Sequence, residues 1–263
     1  MTVLLVGIAM VVSPPPEPAP ELIPGVRVEP GIVEFDARVA IDANHPSTPD
    51  VYLEMLVTAP DSREHESLLV AQIRPSNLHA GLLAAGFEPG SPVRRRGGAI
   101  RAARGDRVRV LVRVEHDGDA AGAEEANDAW RPLTSWIIDD DREHRVADDQ
   151  RWSGLVFAGS TIDENGYAAD RAGTIASLTP FGTEVVSPVW TVSPQASVDT
   201  PEWIADNDRV PEQSTRVRVR IVAVGDAEGR ELDEKLPEAP EKGTRKGTEK
   251  GSEHPERIDI DDG

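Results

Sequence analysis

The chain contains no cysteine among its 263 residues. That excludes disulfides, thiol catalysis, cysteine-ligated zinc and iron–sulfur clusters, and the lipidated cysteine of a bacterial lipoprotein. It also removes any signal about redox compartment. Aromatic residues make up only 4% of the chain, so the core must be built from Val, Leu, Ile and Ala. Basic residues are scarce, with 28 Lys and Arg against 47 Asp and Glu and a net charge of -19. A field of that sign repels phosphate backbones and anionic headgroups, so no nucleic acid and no membrane surface is expected as a partner. Long apolar runs are absent too. The longest, MTVLLVGIAMVV at residues 1–12, is far short of the roughly 20 residues that span a bilayer. No stable membrane span is therefore expected in the mature chain.

That run has the length of the apolar core of a secretory signal. No Lys or Arg precedes it, and SPPPEPAP after it offers no small-x-small cleavage site. The reading adopted is an export signal with its basic start missing, the alternative being a buried first strand. It places the mature protein outside the cytoplasm, periplasmic or secreted.

Residues 1–24 thus read as a signal-like run and a Pro-rich spacer, Pro14 to Pro20. GVRVEPGIVEFDARVAID reads as a short strand, a Pro-Gly turn and a longer strand from Ile32 to Ile41. YLEMLVT is another strand, APDSRE a turn, and HESLLV the strand returning from it. RPSNLHAGLLAAG is a helix with Pro75 in its first turn, Arg74 or Ser76 as cap and Gly86 as its stop. FEPGSPVRRRGGAIRAARGD reads as a loop. In RVRVLVRVEH, Val108, Val110, Val112 and Val114 alternate with Arg107, Arg109, Leu111 and Arg113, a strand with one buried face. DGDAAGAEEAND reads as a surface loop, and AWRPLTSWII as strand or turn. WSGLVFAGSTIDENGYAADRAGTIASL reads as strands around turns, with Asn165-Gly166 a hairpin signal. EVVSPVW and TRVRVRIVAV are further strands. The expected fold is mostly β (α+β), an antiparallel sheet or sandwich of about 8–10 strands with one short helix near residues 75–85. The domain runs over 25–224, divisible into halves 25–118 and 126–224. Residues 225–263, with a degenerate KGT/KGT/KGS repeat, are too polar to offset their ordering entropy and read as a disordered charged tail.

Two stretches carry a family resemblance. YLEMLVTAPDSREHESLLVAQIRPSNLHAGLLAAGFEPGSP, followed by GDRVRVLVRVEH, resembles the bacterial YdjY-like domain family. The shared pattern is a Glu-containing strand, a turn ending in His-Glu-Ser, an apolar strand, and a Pro-Ser-x-x-His-Ala helix ending at Gly. WSGLVFAGSTIDENGYAADRAGTIASL is similar to the family's second half, with its Phe-x-Gly-Ser turn and Tyr-x-Ala-Asp segment. The resemblance covers roughly residues 26–195 and implies an exported bacterial protein, with no activity attached. Some relatives join this domain to a ferredoxin-like module, a redox role that a cysteine-free chain cannot share.

The polar residues embedded in this unit are Glu54, His65, Glu66, Ser67 and His79. Imidazole with carboxylate suits zinc or manganese, so Glu54, His65, Glu66 and His79 form a candidate divalent metal set. Adjacent His and Glu point to opposite faces of a strand, and no His-x-x-x-His spacing occurs. Ser67 with His65 or His79 as base lacks a Gly-x-Ser-x-Gly elbow. A two-residue turn before Glu66 would make it a lone semi-buried acid, whereas a three-residue turn would put Glu54 and Glu66 on one side. The structural alternative has these groups satisfying backbone at the hairpin end. DENGYAAD has acids spaced faintly like a calcium loop but reads as a hairpin turn. Arg94 to Arg96, with Arg101, Arg104 and Arg107 behind, suits an anionic polymer, an acidic partner surface or a solvated loop. The expectation is a non-catalytic exported module that binds an unknown protein or envelope component, using no cofactor. The rival is a metal-dependent enzyme on the His65/Glu66 hairpin.

Overall fold

Alternating Val/Arg segments favour strands with one dry and one wet face, and such strands gain most when the dry faces enclose one core. The structure, a computed structural model, describes residues 23–43, 50–96, 99–115, 129–149, 151–190, 192–193, 195 and 201–225. The expected signal run, the Pro14–Pro20 spacer, the 117–128 loop and the tail from 226 onward lie outside these residues.

Eight strands form a closed barrel. They are β1 (Ile32–Val39), β2 (Met55–Thr58), β3 (Ser67–Val70), β4 (Arg107–Val114), β5 (Leu155–Phe157), β6 (Thr174–Ser177), β7 (Val186–Pro188) and β8 (Arg216–Ala223). Their order is β1-β8-β4-β5-β7-β6-β2-β3, and the ring shuts where β3 pairs with β1 through Arg38↔Val70 and Val39↔Leu69. Arg27–Glu29 adds to β1 across the expected Pro-Gly turn, and Arg131–Pro132 adds to β4. The mostly-β architecture is as read from the sequence. The sheet closes rather than ending in two edges, and the β2–β3 and β6–β7 pairings are parallel. Closure removes the unpaired backbone rows that an open sheet exposes. β8 lies between β1 and β4, so the stretches 25–118 and 126–224 contribute to one barrel.

The long strands keep their alternation. Val33, Phe35, Ala37 and Val39 of β1, Val108, Val110 and Val112 of β4, and Val217, Val219 and Ile221 of β8 are buried. The outer face pairs charges across the ladder. Arg220 bonds Glu34 at 2.5 Å, and Arg218 bonds Asp36 at 3.2 Å and Glu115 at 2.8 Å. The short strands β2, β5, β6 and β7 are buried on both faces, their polar Thr58, Thr174, Ser177 and Ser187 included. The few aromatics are concentrated. Trp152 meets Trp190 edge-on at 5.0 Å, and Trp190 stacks on Trp203 at 5.9 Å.

Helix α1 (Pro75–Ala84) buries Leu78 and Leu82, with Gly86 at φ 95° beyond its end. The Asn165-Gly166 hairpin forms from Ile162–Asp163 and Gly166–Tyr167. The strands-and-turns expectation fails just after it, where Ala168–Ala172 make a helical turn, α2, ended by Gly173. The expected loop at 89–105 is instead two small antiparallel ladders.

Candidate functional site

The segment expected as a hairpin is not one. β2 and β3 run parallel, with Met55 opposite Ser67 and Val57 opposite Leu69. Residues 59–66, ending in a 3-10 turn at Glu64–Glu66, return the chain to the end from which β2 started. Neither turn register considered for a hairpin therefore applies. Glu54 immediately precedes β2 and Glu66 immediately precedes β3, so parallel pairing sets them side by side, with the Glu54 amide donating to the Glu66 carbonyl at 3.0 Å.

Arg63 bridges the two acids. Its Nη1 donates to Glu54 Oε2 at 2.9 Å and to Glu66 Oε1, and its guanidinium lies 4.3 Å from the Phe181 ring centroid. The Glu54 side chain is 24% exposed and that of Glu66 18%. Burial, and then the adjacent Glu66 carboxylate, push the Glu54 carboxyl up to about 7, against the pull of Arg63. Glu54 thus keeps its proton toward neutrality.

This has a consequence for stability. Between about 4.5 and about 7, Glu54 is protonated in the fold and ionised in the unfolded chain. The folded state then binds more protons, so stability falls as pH rises through that window and levels off above it. A Glu54→Gln variant is expected to flatten that slope and to melt above the parent chain at about pH 8. Melting curves that kept the parental slope would contradict the raised Glu54 pKa.

His79 lies in a different place. Its Nδ1 is 2.8 Å from the Tyr167 hydroxyl, which donates to the Gly159 carbonyl at 3.1 Å. The ring sits edge-on to Phe157 at 5.0 Å, and burial lowers its pKa. Burial likewise pushes the Tyr167 hydroxyl up. Gly159 has φ 79°, and a Cβ there would come within 3.3 Å of His79 Cε1 and 2.9 Å of Pro89 Cβ, so only glycine admits the ring. One turn earlier on α1, Ser76 donates its amide and its hydroxyl to Asp170, each at 2.7 Å, and Arg74 adds 3.0 Å. Neither Arg74 nor Ser76 caps the helix with its own side chain; Asp170 does so from α2. Pro75-Ser76-x-x-His79-Ala80 is therefore clamped onto Phe157-x-Gly159-Ser160 and Tyr167-x-Ala169-Asp170.

Of the four metal-set residues, the structure unites Glu54 and Glu66 and leaves His65 at the rim, 79% exposed, with Nε2 3.8 Å from Glu66 Oε2. His79 belongs to the separate α1 clamp. Among the described residues, no group of three or more His, Cys, Asp or Glu could hold a metal ion. Ser67 is fully buried, its hydroxyl donated to the Leu69 carbonyl. In DENGYAAD, Asp163 pairs with Arg171 at 2.6 Å and Asp170 with α1, so two of its three acids are engaged within the protein. A groove of about 350 Å³ beside β4, lined by Arg113, Arg131, Trp136 and Arg209 among others, includes none of the four.

The sequence reading missed Arg63 and Glu184, and it named Tyr167 and Asp170 only within the Tyr-x-Ala-Asp and DENGYAAD patterns. Arg63 lay in a turn with no pattern to mark it. Glu184 is wholly buried; its carboxylate accepts the amides of Phe181, Gly182 and Thr183 and the Ser187 hydroxyl. Its signal was an acid inside an otherwise apolar strand region.

The family model described as the YdjY domain matches residues 26–222. No curated protein and no solved structure matches the chain.

Proposed function

The chain belongs to the YdjY domain family, and on that premise we propose that it is a non-catalytic binding module of the bacterial cell envelope, exported from the cytoplasm. The observation that supports this reading is the engagement of its candidate chemical groups within the protein. Arg63 neutralises the Glu54/Glu66 pair, Tyr167 and Gly159 hold His79, and the Leu69 carbonyl holds Ser67. A nucleophile or general base needs a free approach to a reacting atom, and these groups serve the scaffold. No described helix is long and apolar enough to cross a membrane.

Two measurements test the reading. Expression of the full chain in a bacterium, with fractionation and N-terminal sequencing, is expected to yield a processed chain outside the cytoplasm. Retention of Met1 in a cytoplasmic product would refute export. Metal analysis of the same purified protein addresses the rival enzyme. Stoichiometric zinc or manganese, lost on replacing His65 or Glu66, would overturn the non-catalytic reading in favour of a metal centre on that segment.

A further inference from the structure

Residues 89–105 contain five arginines and no acidic residue, in a chain whose net charge is -19. The described residues of this stretch form a two-tiered arm. Pro89–Ser91 pairs with Arg104–Gly105 at its base, and Arg94–Arg96 pairs with Ala99–Arg101 beyond it. The base is fixed by the Glu88 amide donating to Asp106 Oδ2 at 2.8 Å and by the Asp106 amide donating to the Glu88 carbonyl at 3.2 Å.

The three consecutive arginines divide their labour by strand alternation. Arg95 turns to the protein body, donating Nη1 to the Pro180 carbonyl at 3.1 Å and Nη2 to the Val192 carbonyl at 2.8 Å. Arg94 and Arg96 therefore share the opposite face. Arg101 stands directly across from Arg94 and joins them on that face, and Arg104 is exposed at the base. Among the described residues, the side chains of Arg94, Arg96, Arg101 and Arg104 make no ion pair or hydrogen bond, whereas those of Arg218 and Arg220 of β8 are matched to acids. Like charges directly opposite on a ladder repel, so the clamped Arg95 holds in place a cationic face that does not neutralise itself.

We propose that this face binds an extended polyanion, a flexible polymer carrying phosphate-type anions along its backbone. The inference rests on the reading of the chain as a binding module and names that module's partner chemistry. Successive same-face positions on a strand are about 6.8 Å apart and facing positions about 5 Å apart. A flexible polymer can thus bring one anion to each guanidinium, and the planar fork grips phosphate oxygens in pairs. A bilayer fits less well. The exposed Ile100 lies across from Arg95, on the face away from the arginine cluster, whereas membrane docking needs apolar and cationic groups facing the same way. A broad anionic plane would also meet the repulsion of the whole acidic body, which a single polymer strand along a narrow arm avoids.

The test is titration of the full chain with long-chain inorganic polyphosphate at several NaCl concentrations. Binding is expected to weaken with salt, with a log–log slope near -3 for four phosphate contacts. Changing Arg94, Arg96, Arg101 and Arg104 together to alanine is expected to weaken binding more than about tenfold at low salt and to leave the melting temperature unchanged. Absence of polyphosphate binding, equal binding by the quadruple variant, or full competition by orthophosphate at equal total phosphate would each overturn the proposal. So would tighter binding to phosphatidylglycerol vesicles that is lost with Ile100→Ser, which would assign the arm to membranes. A failed polyphosphate titration with a metal-free protein removes this partner and leaves the binding-module reading standing. Stoichiometric metal dependent on His65 or Glu66 removes that reading whatever the arm binds.

Discussion

An Arg63→Ala variant is expected to lose about 2–3 kcal/mol of stability at about pH 8, a fall of about 4–12 °C in melting temperature for a domain of this size. Arg63 is the counter-ion for both Glu54 and Glu66, and its guanidinium also lies over the Phe181 ring. Removing it leaves two mostly buried carboxylates side by side, and breaking a buried ion pair on one side strands the other charge. The Arg63 side chain is 39% exposed, so water screens part of the loss and the figure stays below that for a fully buried pair. The deficit should shrink toward about pH 5, where protonated Glu54 needs no counter-ion. Adding Glu54→Gln to Arg63→Ala should restore much of the stability at the higher pH. Thermal melts of the three variants at both pH values check this, and a single Arg63→Ala variant melting within about 1 °C of the parent at about pH 8 would sink it.

An Asp170→Ala variant is expected to lose a similar amount, about 2–3 kcal/mol, for a different reason. Asp170 caps the first turn of α1 from 94 residues away in sequence, accepting the Ser76 amide and hydroxyl. Loss of a cap costs about 0.5–2 kcal/mol, and a polar group left unsatisfied in a buried place costs about 1–3 kcal/mol. Structural damage of any kind would lower the melting temperature, so the informative readout is His79. Its pKa is lowered because the α1 clamp buries its ring. Loosening that clamp should let the imidazole titrate closer to its ordinary 6.5, which a histidine-resolved NMR titration would detect. Asp170→Asn, which keeps an acceptor oxygen, should retain most of both properties. A His79 titration unmoved in Asp170→Ala would show that the cap and the histidine are independent.

Much of the scaffold could be read from residue patterns because those patterns are local. Val108, Val110 and Val112 against Arg107, Arg109 and Arg113 specify a half-buried strand wherever it lies. Pro75 and Gly86 mark the ends of α1, and Asn165-Gly166 marks a hairpin. The candidate site was only half legible. Glu54, Glu66 and His79 stood out as polar residues in apolar surroundings, but their neighbours did not. The local rule that a short turn joins antiparallel strands failed at 59–66, because β3 is also claimed by β1 and sits between β1 and β2. That makes β2 and β3 parallel, brings their starting ends together, and makes Glu54 and Glu66 neighbours with Arg63 between them. The RRR stretch shows the same division. Its charge was evident, but the separation of Arg95 from Arg94 and Arg96 needed a strand assignment and the carbonyls of Pro180 and Val192.

Composition and periodicity were sufficient, then, for the absence of thiol chemistry, the net negative charge, the mostly-β class and the helix over 75–84. Barrel closure by β1 and β3, the carboxylate pair on Arg63, and the capping of α1 by Asp170 were settled only by the folded chain. The physical reason is range. Alternation and helix-end signals act between residues within one turn or one strand, whereas Arg38↔Val70, Ser76–Asp170 and Arg95–Val192 join positions 32, 94 and 97 residues apart. Such contacts depend on the path of the whole chain, which no local pattern encodes.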